Sequence, residues 1–302
     1  MRSIIICSRF VSLFLAVFLA SLFYVSVDTT LANELTIHAV DPPPREKAAR
    51  IRPDQLPLSR LAHGQRNIIT AWFAGPTTRY RHGVLGDELE ASRLVVDTVE
   101  GEQVDVDLPA NRVFEDVEPR LADVNGDNTD EIIVVESDVQ LGASLAVYDI
   151  VEGRLVRIAA TPFLGKPNRW LNPVGVGDFD GDGHADIAVV ATPHIGGILR
   201  LYRLTGATLS LFAEYSGIST HRLGSTELGL GRVIAAAPRD RLLVPNQARR
   251  AIMLLEWTGR AWRELTRTAL PSELSSSLIP VAANRWRVRL DTGAHYEIQL
   301  NP

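Results

Sequence analysis

Strand-length apolar runs recur along most of this chain, and no long apolar stripe with helical spacing lies between them. Most of the runs are built from valine, isoleucine and other residues that favour strands. They lie at residues 68–73, 94–96, 132–135, 187–190 and 233–237. Because apolar runs of this length bounded by turn residues are typical of strands, the pattern predicts an all-β fold.

Glycines at the tips of predicted hairpins repeat with a nearly constant spacing. Gly101, Gly153, Gly206 and Gly259 are separated by 52, 53 and 53 residues. A repeated unit of about 50 residues that holds four short strands is typical of one β-propeller blade. The sequence therefore predicts a β-propeller over residues 67–302, and a tandem β-sandwich is the alternative.

A shorter unit surrounds Gly293 near the end of the chain, which brings the predicted number of four-stranded blades to about five. A propeller has no exposed sheet edge when a strand from one end of the chain completes the blade formed at the other end. We expect the run at 67–73 to complete a blade in this way.

The first 32 residues have the pattern of a secretory signal peptide. Arg2 and Arg9 precede an apolar run at 10–27, and the small residues Thr30 and Ala32 follow it. The run is also long enough for an N-terminal membrane anchor, which is the alternative. Residues 33–66 are rich in proline and are predicted to form a tether. In both cases the remainder is expected outside the cytoplasm, in a periplasm or secreted.

Composition narrows the possible chemistry and partners. The formal net charge is −5, which argues against nucleic acid as a partner. The only cysteine, Cys7, lies in the predicted signal peptide. We therefore expect no disulfide, no cysteine nucleophile and no cysteine metal ligand in the exported protein. Contact with a membrane is expected only if the N-terminal segment stays uncleaved.

Two acidic loops share one arrangement of oxygen-bearing residues at alternate positions. They begin 55 residues apart, and an apolar strand follows each. Positions 1, 3, 5, 7 and 9 hold Asp123, Asn125, Asp127, Thr129 and Glu131 in the first loop and Asp178, Asp180, Asp182, His184 and Asp186 in the second. Calcium takes six to eight oxygen ligands, and position 7 supplies its main-chain carbonyl whatever its side chain. The spacing predicts two Ca²⁺ sites.

The backbone of these loops supports the same interpretation. Tight winding needs a residue at position 6 that tolerates positive φ, and this position holds Asn128 or Gly183. The loops are not EF-hands, because position 12 holds Val134 or Val189 instead of glutamate and the flanking elements are strands. Each ion is therefore expected to link two strands of a blade.

The two acidic segments, 123–135 and 178–190, resemble the FG-GAP or VCBS-type repeats of integrin α-subunit propellers and of many exported bacterial proteins. The resemblance covers roughly residues 68–302 and is specific in the two loops. It implies a propeller fold with calcium bound by Asp123, Asn125, Asp127, Glu131, Asp178, Asp180, Asp182 and Asp186. The chain is too short for the seven blades of integrin propellers.

Basic and aromatic residues recur ahead of the acidic loops and at the matching places of other repeats. They are Arg81, His82, Arg120, Arg169, Trp170, His221 and Arg222. If each cluster begins the innermost strand of its blade, the clusters meet around one mouth of the channel and favour an anionic or sugar-like ligand. The alternative is that they are separate surface or inter-blade residues.

Catalytic signatures are sparse in the sequence. It contains no HExxH zinc motif and no GxxxxGK[ST] phosphate loop. We therefore expect an extracytoplasmic calcium-binding propeller that acts as a protein or glycan binding module. The alternatives are a propeller hydrolase or lyase that acts on a polysaccharide and a structural subunit of an envelope assembly. Paired carboxylates in a pocket would favour an enzyme, and a broad apolar patch would favour an assembly.

Overall fold

The computed structural model of the protein describes residues 34–44, 52–86 and 88–301. Within those ranges the chain forms twenty-one β-strands and no α-helix, which confirms the predicted all-β class. Accordingly, no helix that is long and apolar enough to cross a membrane is found among these residues. The predicted signal peptide at 1–32 lies outside the described residues.

The strands are short, and most are five to ten residues long. In chain order they are β1 (Glu34–Val40), β2 (Ala62–His63), β3 (Ile68–Thr77), β4 (Glu90–Thr98), β5 (Gln103–Asp107), β6 (Arg112–Phe114), β7 (Arg120–Ala122), β8 (Glu131–Asp138), β9 (Gly142–Val151), β10 (Arg154–Ala160), β11 (Leu171–Gly177), β12 (Asp186–Ala191), β13 (Ile198–Thr205), β14 (Thr208–Ser216), β15 (Arg232–Ile234), β16 (Arg241–Pro245), β17 (Ala251–Trp257), β18 (Trp262–Ala269), β19 (Ile279–Ala282), β20 (Arg285–Arg289) and β21 (His295–Asn301).

The described strands form five antiparallel groups of four. The first group holds β2 to β5 and the second β7 to β10, and β6 pairs with both β4 and β8 to join them into one sheet. β11 to β14 form the third group, and β15 to β18 form the fourth. β19, β20 and β21 form the fifth together with β1. These groups are the blades of a β-propeller, as the sequence predicted.

The N-terminal strand β1 completes the last blade. It pairs with β21 along its whole length, and its apolar residues Leu35 and Ile37 pack in the same core cluster as Trp286. The run at 67–73 lies mostly in β3, within the first blade. The segment 33–66, predicted as a tether, thus contributes β1 and β2 to sheets, because the apolar alternation at Leu35 and Ile37 has a sheet edge to pack against.

The core lies between neighbouring blades. In β12, Ile187 and Val189 pack in a cluster with residues of the second blade, whereas Ala188 and Val190 pack in a cluster with residues of the fourth. Successive side chains of a strand point to opposite faces, so a strand covered on both faces is apolar at every position. This burial explains the unbroken apolar runs in the sequence.

The hairpin glycines mark the blade period. Gly101, Gly153, Gly206 and Gly259 have φ angles between 57° and 85° and lie between the third and fourth strands of the first four blades. Glycine adopts positive φ without strain, so the predicted hairpins are confirmed. The predicted strand at 233–237 is wrong in its second half, because β15 ends at residue 234 and the chain then turns toward β16.

Candidate metal loops and ligand pocket

The two acidic loops occupy the same place in successive blades. The first, 123–130, joins β7 to β8, and the second, 178–185, joins β11 to β12. The sixth residue of each loop has positive φ, 69° at Asn128 and 87° at Gly183, as predicted. The second strand of each blade begins with the acidic residue at position 9.

Hydrogen bonds hold the carboxylates of the first loop against its backbone. Asp123 accepts the main-chain N–H groups of Gly126 at 2.7 Å and of Asn128 at 2.9 Å. Glu131 is fully buried. Its carboxylate accepts the side-chain amide of Asn125 at 2.6 Å. The side chains at positions 3 and 9 are therefore in contact, and the carboxylate at position 1 is fixed by the turn.

Asp130 of the first loop pairs with Arg66 at 2.6 Å, but the other carboxylates of the loop carry negative charge that no basic side chain among the described residues neutralises. Burial raises the pKa of Glu131 to about 7, and the carboxylates of Asp127, Asp149 and Asp123 add to the rise. Among the described residues, none of these four carboxylates forms an ion pair with a basic side chain. A bound cation would relieve the repulsion between them, so the oxygen donors of this loop fit calcium.

The second loop brings three carboxylates closer together. Oxygens of Asp178, Asp180 and Asp186 lie within 4.8 Å of one another. Asp178 also accepts the main-chain N–H of Gly183 at 2.9 Å, as Asp123 does in the first loop. Burial raises the pKa of Asp186 to about 6 even though Arg203 opposes the rise. Three carboxylates at this separation could hold a metal ion.

Arg203 from β13 also binds these carboxylates. Its Nε donates to Asp186 at 2.8 Å, its Nη2 to Asp180 at 3.0 Å, and its Nη1 to Asp182. The guanidinium lies over the ring of Phe212, 5.2 Å from the ring centroid. Although burial lowers the pKa of Arg203, its bonds to Asp180 and Asp186 raise it above the usual range. The second loop thus already contacts a cation of the protein.

The residues at position 7 have the same main-chain contact in both loops. The N–H of Thr129 donates to Asp127 at 2.8 Å, and the N–H of His184 donates to Asp182 at 2.9 Å. In each case the acceptor is the carboxylate at position 5, so the two loops wind in the same way. Coordination through the carbonyls of Thr129 and His184 stays a prediction.

A cavity of about 410 Å³ lies where the loop between β12 and β13 meets the connection into β11. The strands are antiparallel, so this cavity lies at the other end of the third blade from its acidic loop. His82, Arg169 and Trp170, three residues of the predicted ligand set, line it together. Arg169 donates to the carbonyl of Asn168 at 3.2 Å and forms no ion pair among the described residues.

Two histidines support the wall of this cavity. Nε2 of His221 lies 2.6 Å from the carbonyl oxygen of Ser225, and Nδ1 of the same ring lies 2.8 Å from Nε2 of His194. A carbonyl only accepts, so Nε2 of His221 carries the proton and its Nδ1 accepts from His194. Burial lowers the pKa of His194 to about 4 and that of His221 to about 3, which keeps both rings neutral.

The remaining predicted ligand residues lie elsewhere. Arg120 lines a larger cavity of about 670 Å³ together with residues of β11 and β15, and it forms an ion pair with buried Asp116. Arg81 and Arg222 are exposed and line neither cavity. The structure therefore brings three of the seven predicted ligand residues to one pocket, with His221 packed behind it against Trp170.

Three residues that shape these sites were missed by the sequence reasoning. Ile132 pairs with Tyr148 and Ile187 pairs with Tyr202, so Asp149 and Arg203 occupy matching positions one residue after each tyrosine. The shared tyrosines were a signal for both. His194 lies in a turn with no repeated counterpart, and no sequence signal marked it.

Comparison with known families agrees with this geometry. Residues 123–189 match the family model of the FG-GAP-like repeat, and the matched segment runs from the first acidic loop to the strand that follows the second. No curated protein matches the sequence significantly. The match confirms the resemblance found in the two loops. The segment 123–189 is therefore similar to an FG-GAP-like repeat.

Proposed function

We propose that this protein is an extracytoplasmic β-propeller that binds calcium at the acidic-loop end of its blades and binds a protein or glycan partner at the opposite end. The observation that carries the proposal is the division between the two ends of the third blade. One end carries the acidic loop, and the other carries the cavity of about 410 Å³ with Arg169, which forms no ion pair with any residue that the structure describes.

The chemistry of the cavity supports a binding role. Ile195 and Leu223 line it together and are 61% and 64% exposed, and exposed apolar side chains that share one surface are typical of sites that contact a partner. Arg169 beside them offers a cation to a carboxylate or another anion. A partner with an anionic group next to an apolar group would satisfy both features.

Calcium supports this role from the other end of the blades. An ion in a loop that joins the first two strands of a blade restrains both strands, and binding to the folded state alone stabilises it. Export directed by residues 1–32 would bring the protein to a compartment in which calcium sites with dissociation constants near 10⁻⁴–10⁻³ M, typical of extracellular modules, are occupied. N-terminal sequencing of the protein from fractionated cells of its source tests this location.

Site-specific photo-cross-linking tests the binding surface. A photoreactive residue at Leu223 should capture a partner from the envelope fraction, and the same residue at Val156, 41% exposed in β10, should not. Arg169→Ala should reduce the capture at position 223. Equal capture at both positions, or capture that is insensitive to Arg169→Ala, would contradict the proposed surface.

Glycan binding is tested with the same variants. A glycan ligand should bind the purified chain on an array of neutral and carboxylated glycans, and Arg169→Ala should weaken binding to the carboxylated ones. Cross-linking without array binding identifies a protein partner, and array binding identifies a glycan.

A further inference from the structure

We infer that Arg203 is the resident cation of the second acidic loop and stands in place of calcium there, whereas the first loop is the one that binds calcium. This inference rests on the proposed calcium binding and refines it, because it assigns the ion to one loop. Its basis is the contact of one arginine with three of the four acidic side chains predicted as ligands in the second loop.

The contacts of Arg203 leave those carboxylates engaged. Asp186 receives both Nε at 2.8 Å and Nη2 at 2.6 Å, and Asp180 receives Nη2 at 3.0 Å. Calcium would need the same carboxylates at about 2.3–2.6 Å. An ion among those oxygens would lie beside the guanidinium, and two cations in contact repel each other strongly where the surroundings are partly desolvated. Calcium can enter only if Arg203 leaves.

The position of Arg203 is held from several sides. Asp186 is fully buried and begins β12, directly opposite Arg203 in the strand pairing. The ring of Phe212 lies on the guanidinium and adds a cation–π contact. The planar fork of arginine suits two carboxylates at once. A side chain fixed by a buried acid, an aromatic ring and further carboxylates is a structural part of the loop.

The first loop has the opposite charge at the matching position. Asp149 follows Tyr148 as Arg203 follows Tyr202, so an acidic residue stands at the register position where the second loop has its arginine. Asp123, Asp127, Glu131 and Asp149 have no basic partner among the described residues. Of the two acidic loops, the first therefore needs a cation from solution, whereas Arg203 supplies the positive charge in the second.

Reciprocal substitutions test the inference on the full chain. Calcium is titrated by isothermal calorimetry into the native protein, Arg203→Met and Asp149→Arg. We expect one ion in the native protein, two in Arg203→Met, and an affinity at least tenfold weaker at the first loop in Asp149→Arg. Arg200→Met is the control, because Arg200 lies on the same strand and pairs with Glu214 instead, and it should leave the ion count at one.

If a variant folds too poorly for calorimetry, thermal melts in calcium and in chelator measure how much calcium stabilises it. Arg203→Met should be rescued by calcium to a larger extent than the native protein. Two ions in the native protein would overturn the inference and leave the proposed calcium binding intact. No ion in the native protein together with one in Arg203→Met would support the role of Arg203 and contradict calcium in the first loop.

Discussion

The two acidic loops wind in the same way but differ in the residue that faces them from the next strand. Both fix the carboxylate at position 1 with main-chain N–H groups and have a positive φ at position 6. The first loop lies near Asp149, and the second binds Arg203. With Arg203 in the place of calcium, a loop's own sequence would not determine its need for a metal, because a neighbouring strand would supply the cation.

The largest expected effect is the loss of Asp186. Asp186→Ala removes a buried carboxylate that binds Arg203 and accepts the N–H of Phe179. Breaking a buried ion pair costs about 3–5 kcal/mol, so the free energy of unfolding in urea should fall by that amount. If the second loop is independent of calcium, the loss should be the same with calcium and with chelator.

Glu214→Ala is the control for that experiment. Glu214 pairs with Arg200 and its side chain is 46% exposed, so its removal should cost less than about 1 kcal/mol. A loss for Asp186→Ala that is larger in calcium than in chelator would show that calcium occupies the second loop through Asp186.

Arg203→Lys should have a smaller effect that is also confined to the second loop. Lysine keeps the charge but lacks the fork that reaches Asp180, Asp182 and Asp186. Hydrogen bonds to charged groups contribute about 1.5–3 kcal/mol, so we expect a loss of about 2 kcal/mol in urea unfolding. An unchanged free energy would mean that charge alone, without the fork, stabilises the loop.

Removal of calcium should destabilise the protein through the first loop. At ten times Kd, a bound ion contributes about 1.4 kcal/mol, and chelator should remove this amount in thermal melts. Asp127→Ala should abolish the difference between calcium and chelator, whereas Asp182→Ala at the same position of the second loop should keep it. If Asp182→Ala abolished the difference and Asp127→Ala kept it, calcium would be bound by the second loop instead of the first.

The smallest expected effect is a pH dependence of the metal-free first loop. The pKa of Glu131 is about 7 in the folded protein and about 4.3 when unfolded. Because the folded pKa is raised, protonation stabilises the fold at low pH, and this contribution is lost as the pH rises through 7. The two pKa values alone would correspond to a loss of about 2.5 kcal/mol between pH 5 and pH 7.5 in chelator. Because residues 125–128 of the loop are exposed and water screens their charges, we expect a loss of about 1 kcal/mol.

Glu131→Gln should remove most of this pH dependence, and calcium should suppress it in the native protein. The comparison is made by urea unfolding at each pH in chelator. A native profile that persists in Glu131→Gln would assign the dependence to another group.

Much of the fold was predictable from local sequence. The regular spacing of the hairpin glycines indicates that the blades repeat. The unbroken apolar runs indicate strands that are buried on both faces. Both features can be found by following the sequence alone. The closing strand β1 was missed because its partner β21 lies at the other end of the chain. The short strand β6, which joins the first two blades, has too few residues to show a period.

The two acidic loops were also predictable from local sequence, but the difference in charge at the residue that approaches each loop was not. Each loop is nine residues of continuous sequence, whereas Asp149 and Arg203 approach through strand pairing. The pocket required three blades to meet, because His82 comes from the first blade, Arg169 from the connection into the third and Leu223 from the connection into the fourth. The residue types of the pocket are visible in the sequence, but their grouping depends on the packing of the blades.

The most direct test is an anomalous-difference map from crystals grown with calcium. We expect one peak, with oxygens of Asp123, Asp127 and Glu131 at about 2.3–2.6 Å, and Arg203 in contact with Asp180 and Asp186 as described. A peak among Asp178, Asp180 and Asp186, with Arg203 displaced, would contradict the account.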